Sequence, residues 1–433
     1  MLMACCTFCE VAYDSSAEAH AKLDAAVKAQ MDWKNVPLSE RQALCTKWIS
    51  TLSSNAESIA HEISGMMGKP VQQARNEING TIDRAKYDIV ALIYMSDEAL
   101  RTDSFPEENG LFRQITHDPV GDCYGLGILV GNSVLLKHSP RTPLCGEHYQ
   151  KTFEQAGFPK DVLQASFVEH GTASEIIQRP ETAFVSFTGS DAGYVTADAD
   201  AVAAAEGLVD GVCYNAGQSC CGVERIYVHE SKYDQFLEKA KSLFETYTLG
   251  DPLDAKTSMG PMALPTAPAM LDAHVKDAVS KGAQQLTGSG IVTDATGKGR
   301  FYSPTLLAGC NGSMDIMTEE SFGPIVGVER VSSDAEAIQK INESKYGLTA
   351  SVFSSDREHA MTLGSQISAG TVYMNRCDVL DPYLPWTGTR DSGKGISLSK
   401  HGFRGVTKLK AVRSYSYVAL VIAMLLHSAE VPV

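Results

Sequence analysis

Residues 214–228 read YNAGQSCCGVERIYV and set two adjacent cysteines, Cys220 and Cys221, directly behind Gly217-Gln218-Ser219. A thiolate is stabilised where backbone N–H groups converge at a helix start, and a glycine turn ahead of a short helix or loop could supply them. A cysteine is more often a small buried hydrophobe, so the pair needs company before it means catalysis. Phe187-Thr188-Gly189-Ser190 ends an apolar run in a turn. There Gly189 would let a ligand approach the backbone and the Ser190 hydroxyl could meet a phosphate, although strand ends often carry such residues only to turn. Lys137, closing SVLLKHS, could hold a ribose or phosphate as a point charge, or be a solvated strand-end lysine. In TEESFGPIVGVERV (318–331), Glu319 and Glu320 precede Phe322-Gly323-Pro324. A carboxylate there could take two ribose hydroxyls while Phe322 packs on a flat ring; the plainer reading is a charged turn before a strand. His138, Cys145 and His148, and the lone Cys6-x-x-Cys9 pair, fit no usual metal spacing, so no metal is expected.

The elements that would position these residues follow from periodicity and punctuation. Residues 14–104 read as helical, with Ser39 opening S-E-R-Q and Glu40 in a first turn, and with one helix stopped by Gly68 and Pro70. From about residue 111 short β-rich runs alternate with helices. SVLLKHS (133–139) reads as a buried strand, and Thr142 and Pro143 as the cap and first position of the next helix. AFVSFTGS (183–190) reads as a further strand. A second such stretch, roughly 206–395, carries strands at RIYVHE, TASVFSS and GTVYMN, with SKYDQFLEKAKSLFETY and DAEAIQKINES as helices between them. This alternation is the grammar of an α/β fold with a parallel sheet.

The bulk numbers narrow the function classes. A chain of 433 residues, 44% hydrophobic and 21% charged, is long enough for two or three globular domains. A net charge of −15 argues against nucleic acid or an anionic membrane surface as the main partner. Eleven scattered cysteines without a basic leader point to reduced thiols and a cytoplasmic, or at least intracellular, protein. The apolar run YVALVIAMLL (417–426) is too short to span a membrane and reads as a strand covered by a partner.

Together the motifs resemble the aldehyde dehydrogenase superfamily. The resemblance runs in order through GKPVQQARNEI (68–78), GNSVLLKHSPRTPL (131–144), FVSFTGS (184–190), YNAGQSCCGVERIYVHE (214–230), GDPLDAKTSMGPM (250–262), FYSPTLL (301–307) and EESFGPIVGV (319–328). It continues with NESKYGLTASVFSSD (342–356), GTVYMN (370–375) and TRDSGKGISLSKHGFRGVTKLKAV (389–412). It implies a doubly wound cofactor domain with the N-terminal helices over 1–205, an α/β catalytic domain over 206–395, and a return segment with an oligomerisation strand over 396–433, joined by about 108–120. It further implies an aldehyde substrate, NAD or NADP as cofactor, and a homo-oligomer, dimer or tetramer. Cys220, two positions after the Gln, matches the nucleophile, with Cys221 a packing neighbour. Lys137, Gly189 and Ser190 match cofactor positions, Glu320 the nicotinamide-ribose carboxylate, and Phe322 packs nearby. Pro140 falls where NAD-preferring members often carry an acid for the adenine ribose.

The chain departs from the family pattern twice. HDPVG (117–121) leads through DCYGLGI without the Pro-Trp-Asn motif whose Asn holds the oxyanion. FTGSDAGY (187–194) runs on without the Glu-Leu-Gly-Gly strand whose Glu is the general base, which places a missing segment at 194–197. The cofactor domain is therefore expected to be truncated. The alternative function is a catalytically impaired relative acting as a binding or structural protein. Glu206 and Glu224, the nearest carboxylates in sequence, are expected to be solvated charges without a role.

Overall fold

The computed structural model describes residues 10–99, 103–108, 111–119, 126–139, 141–182, 191–293, 299–393 and 395–415. The strand expected at 183–190, with Gly189 and Ser190, the Pro140 position, and the apolar run 417–426 lie outside the described residues.

The chain opens with four helices, α1 (Ser16–Trp33), α2 (Leu38–Ser54), α3 (Ala56–Met67) and α4 (Val71–Ala99). Ser15 and Glu18 cap α1 reciprocally, each side chain bonded to the other's backbone N–H. Helix α2 begins at Leu38 behind Pro37, so the start expected at Ser39 moves one residue back. Gly68 ends α3 with a φ of +78°, and Pro70 follows it. A Cβ at Gly68 would lie 2.7 Å from Pro261, so the stop is also a docking point between distant segments.

Next come β1 (Asp103–Glu108), β2 (Leu111–Pro119), α5 (Leu126–Val130), β3 (Val134–Lys137), α6 (Pro143–Ala156), β4 (Leu163–Ser166) and α7 (His170–Ile177). Strands β3 and β4 pair in parallel, with Lys137 opposite Ser166. The N-terminal helices, α5 and α6 share one core of Trp33, Trp48, Ile59, Ile63, Phe153 and Phe158.

The remainder is built on a larger sheet. Its elements are β5 (Asp191–Val195), α8 (Ala201–Cys213), β6 (Val223–His229), α9 (Tyr233–Phe244), α10 (Ala267–Ser280), β7 (Gln284–Gln285), β8 (Ile291–Val292), β9 (Phe301–Tyr302) and β10 (Thr305–Ala308). They continue with α11 (Asp315–Thr318), β11 (Ile325–Val331), α12 (Asp334–Glu343), β12 (Thr349–Phe353), α13 (Arg357–Gly364), β13 (Thr371–Met374), β14 (Trp386–Thr387), β15 (Ile396–Ser397), α14 (Ser399–Gly405) and β16 (Thr407–Tyr415). Seven strands align in the order β13-β12-β5-β6-β11-β10-β7, all parallel except the β10–β7 pair. Every residue of β12 is buried, as expected of a parallel strand covered on both faces. Leu208 and Val212 of α8, Phe236 of α9 and Leu271 of α10 fill this core. Each such side chain, fully buried, contributes about 1.5–3 kcal/mol.

The larger core runs across residue 205, taking in Tyr194, Val195 and Ala199 together with the buried face of α8. Strand β5 lies between β12 and β6, and Ala192 through Ala205 belong to the second core. A parallel strand is claimed by whichever sheet its crossover reaches, which local pattern does not reveal. At the C-terminus, Phe403 and Val406 return to the first core, where Asn132 Nδ2 donates to the Val406 carbonyl at 2.9 Å. Strand β16 then pairs antiparallel with β2, from Thr407↔Pro119 to Tyr415↔Leu111, in a three-stranded sheet ordered β1-β2-β16. Among the described residues no helix is long and apolar enough to cross a membrane.

Candidate active site

The loop from α8 to β6 carries the cysteine pair. It makes one short 3₁₀ turn, Tyr214–Gly217, in which Asn215 (φ 54°), Ala216 (φ 54°) and Gly217 (φ 69°) are all left-handed. Two such non-glycine residues in succession are strained and persist only when surroundings fix them. Here the Asn215 N–H donates to Gln73 Oε1 at 2.9 Å, and Asn215 Nδ2 donates to the Gln218 carbonyl at 2.8 Å. Buried Gln218 returns a bond from Nε2 to the Asn215 carbonyl at 3.1 Å, and its Oε1 accepts the Ala263 N–H at 2.8 Å. The glutamine that marks the motif in sequence is thus the clamp that shapes the loop. Cys220 follows this clamp and precedes strand β6, so the expected helix start at the cysteine is not there. Whatever favours its thiolate must come from the turn, not from a helix end.

The two sulfurs are not equivalent. Cys221 is 5% exposed, and its thiol donates to Asp378 Oδ1 at 2.7 Å. The Ser219 hydroxyl donates to the same oxygen at 3.3 Å. The hydrogen bond with Cys220, then burial, then the Asp378 charge all push the Cys221 thiol far up, so it stays protonated. Burial likewise raises the Asp378 carboxyl, against the bonds from Cys221 and Ser219 that favour its charged form. Cys220 is half-buried and remains the sulfur with access to the site. Asp378 sits in the loop after β13, with a φ of 50°. Sequence reading passed over it, because its partner is 157 residues away.

The segment that carries Glu320 and Phe322 meets the cysteine loop through the backbone of Gly323. A Cβ on Gly217 would fall 2.2 Å from the Gly323 carbonyl oxygen, so only glycine lets the two loops touch. Phe322 is itself left-handed, with a φ of 49°. Glu224 holds that conformation: its two carboxylate oxygens accept the Ser321 N–H at 2.9 Å and the Phe322 N–H at 3.0 Å. Glu224 is therefore not the solvated charge expected from sequence. Burial pushes its carboxyl up to about 7, opposed by those backbone bonds and by Arg225. Glu206 does lie at the surface, paired with Lys239 at 2.8 Å. Burial also raises the Glu320 carboxyl, with Arg225 opposing.

Lys137 stands apart, at the carboxyl end of β3. It lines a cavity of about 350 Å³ with Tyr13, Val168, Glu169, His170 and Gly171. Crevices beyond the carboxyl ends of parallel strands are where α/β sheets bind ligands. A larger hollow, about 680 Å³ between α10 and β7–β8, contains none of the expected site residues. Of the residues considered for metal, His148 Nε2 pairs with Glu62 at 2.7 Å and His138 Nε2 bonds the Thr142 hydroxyl at 3.0 Å. Among the described residues no group of three His, Cys, Asp or Glu side chains could hold a metal ion.

Comparison with known proteins converges on one family. The aldehyde dehydrogenase family profile matches residues 6–194 and 190–412. The two stretches share 190–194, which overlaps β5 and adjoins the segment expected to be missing at 194–197. An aldehyde dehydrogenase of Paenarthrobacter nicotinovorans is 30% identical over 423 residues, covering 88% of this chain and 91% of the relative. The NADP⁺ succinate-semialdehyde dehydrogenase of Deinococcus radiodurans is 28% identical, covering 92% and 91%. The structure of succinic semialdehyde dehydrogenase from Streptococcus pyogenes in complex with NADP⁺ superimposes with a TM-score of 0.85 at 25% identity, covering 94% of this chain and 97% of that one. With most of its length, the cysteine-pair loop included, matched in this way, the chain belongs to the aldehyde dehydrogenase family.

Proposed function

We propose that the protein oxidises an aldehyde to a carboxylic acid with NAD(P)⁺, using Cys220 as its nucleophile. The observation that carries the reading is the Gly217–Gly323 backbone contact, which sets the Cys220 loop against Glu320 and Phe322. The Cys220 sulfur would attack the carbonyl carbon and form a thiohemiacetal. NAD(P)⁺, when bound, accepts the hydride that leaves this carbon. The acyl group then stays on Cys220 as a thioester until water cleaves it to the acid and frees the thiol. On this reading Glu320 would accept ribose hydroxyls, Phe322 would bound the nicotinamide, and Lys137 would hold the far end of the cofactor. Gly189 and Ser190 are assigned to the phosphates by the family resemblance. The cavity beside Lys137, open at the strand ends, fits an adenosine moiety.

The test is NAD(P)H formation with a panel of aldehydes. Cys220→Ser should abolish measurable turnover, while Cys221→Ser should retain most of it. Equal activity of Cys220→Ser and the parent would sink the assignment.

A second reading rests on one observation. Neither Pro-Trp-Asn nor Glu-Leu-Gly-Gly occurs in the sequence, so the family's oxyanion Asn and general base have no counterpart. One missing oxyanion donor costs roughly 10²–10³ in rate, and a missing base about 10²–10⁴. Such a chain would bind its ligands and turn over slowly. Equal turnover in this chain and in a variant with both segments inserted would dispose of that reading.

A further inference from the structure

We propose that Glu169 makes the nucleotide cavity beside Lys137 selective for NAD⁺ over NADP⁺, with the Tyr13 ring as the surface on which the adenosine packs. The proposal rests on the dinucleotide reading above and names the specificity of that site.

Glu169 follows the buried end of β4 and occupies the N-cap position of α7, with φ −69° and ψ 163°. Its side chain makes no capping bond to that helix. Glu169 lines the same cavity as Lys137, which stands at the end of the neighbouring strand opposite Ser166. Cation and anion therefore flank one opening at the strand ends, where a nucleotide ribose belongs. A capping role alone would not require that placement, since a solvated acid anywhere in the first turn serves the helix equally.

Tyr13 is half exposed on the wall of this cavity, yet its backbone is anchored. The adjacent Asp14 N–H donates to the Phe167 carbonyl at 2.7 Å. Asp14 Oδ2 accepts from Ser166 Oγ at 2.8 Å, from the Phe167 N–H at 3.2 Å and from Lys22 Nζ at 2.7 Å. An aromatic ring fixed at its base and open on its face suits stacking under a flat heterocycle.

The selectivity follows from charge. A carboxylate accepts hydrogen bonds from both hydroxyls of an unmodified ribose, but repels a 2′-phosphate. Holding that phosphate calls for an excess of cation, commonly an arginine fork. Among the described residues lining the cavity, Lys137 is the single lysine or arginine, and Glu169 offsets it. Arg141 is close in sequence but is not part of the lining. Pro140 offers no carboxylate of its own, so Glu169 supplies from the start of α7 what the family resemblance places after β3.

The experiment is equilibrium titration of the full chain with NAD⁺ and NADP⁺ by calorimetry, which needs no turnover. The parent should bind NAD⁺ about tenfold or more tightly than NADP⁺, and Glu169→Gln should narrow that ratio by roughly five- to tenfold, the scale of one partly solvated charge contact. Tyr13→Leu should weaken both nucleotides and leave the ratio alone. Tighter binding of NADP⁺ by the parent, or an unchanged ratio in Glu169→Gln, would overturn the selectivity while leaving the dinucleotide site standing. Binding of neither nucleotide would overturn the dinucleotide reading itself, and this proposal with it.

Discussion

Cys220 and Cys221 share a peptide bond and differ in every property that matters for chemistry. Cys221 is buried and gives its proton to Asp378 in a hydrogen bond; Cys220 is the half-buried member. Among the other described thiols, burial pushes Cys45, Cys145 and Cys310 up to about 12, and Cys213 also upward. Thiolate fraction and access both govern alkylation, so limited iodoacetamide treatment with peptide mapping should label Cys220 before the other six described thiols. Preferential labelling of Cys221 or Cys145 would contradict this. Cys220 and its glutamine could be named from sequence because the motif is contiguous. Asp378 and the clamp from Glu224 could not, because each acts on residues about 100 or more positions away, and nothing local marks a buried acid as different from a solvated one.

At the scale of elements, the site depends on two loops held closer than any side chain would permit. Gly217→Ala would strain a left-handed backbone by about 1–3 kcal/mol and drive a methyl into the Gly323 carbonyl. Turnover should fall about a hundredfold, as expected when reacting groups move by an ångström, while circular dichroism stays unchanged. A second junction lies at the carboxyl ends of β5 and β12. His359 of α13 bridges Asp198 (Nδ1, 3.2 Å) and Asp334 of α12 (Nε2, 2.9 Å). Tyr194 of β5 donates to Asp334, and Asp198 also accepts from Thr196, Ser354, Ser355 and the Asp356 N–H. Burial works against the charge on His359, but the bonds to Asp334 and Asp198 outweigh it and raise its pKa. A raised histidine contributes stability that is fully present below its unfolded value of about 6.5 and disappears as pH rises through the folded value. The gap in urea midpoint between the parent and His359→Asn should therefore be wider at about pH 6 than at about pH 8.5. A constant gap would mean that the bridge is not charged. Helices α9 and α12 and strands β6, β12 and β13 were readable from periodicity, whereas the place of β5 in the sheet was not, since a parallel strand's neighbours are chosen by crossovers.

For the whole molecule, the question left by the fold is what covers the β1-β2-β16 sheet. Among the described residues β16 is its end strand, nine residues long, and Lys408 through Ala411 are exposed, with Leu409 at 69%. A long end strand offers a row of backbone donors and acceptors to another chain, and soluble proteins seldom leave one uncovered. The apolar run at 417–426 follows directly and is longer than a solvated tail needs to be. Both features point to a second copy of the chain as the cover, with β16 extending a sheet across the contact. Light scattering on the purified protein should accordingly give a mass at least twice that of the 46.6 kDa chain. Removing residues 416–433 should shift the population toward monomer, with a concentration-dependent loss of stability. Among the described residues the core around Cys220 takes none from this sheet, so thiol labelling should continue in the shortened chain. A soluble monomer whose mass is unaffected by the deletion would rule out assembly through this edge.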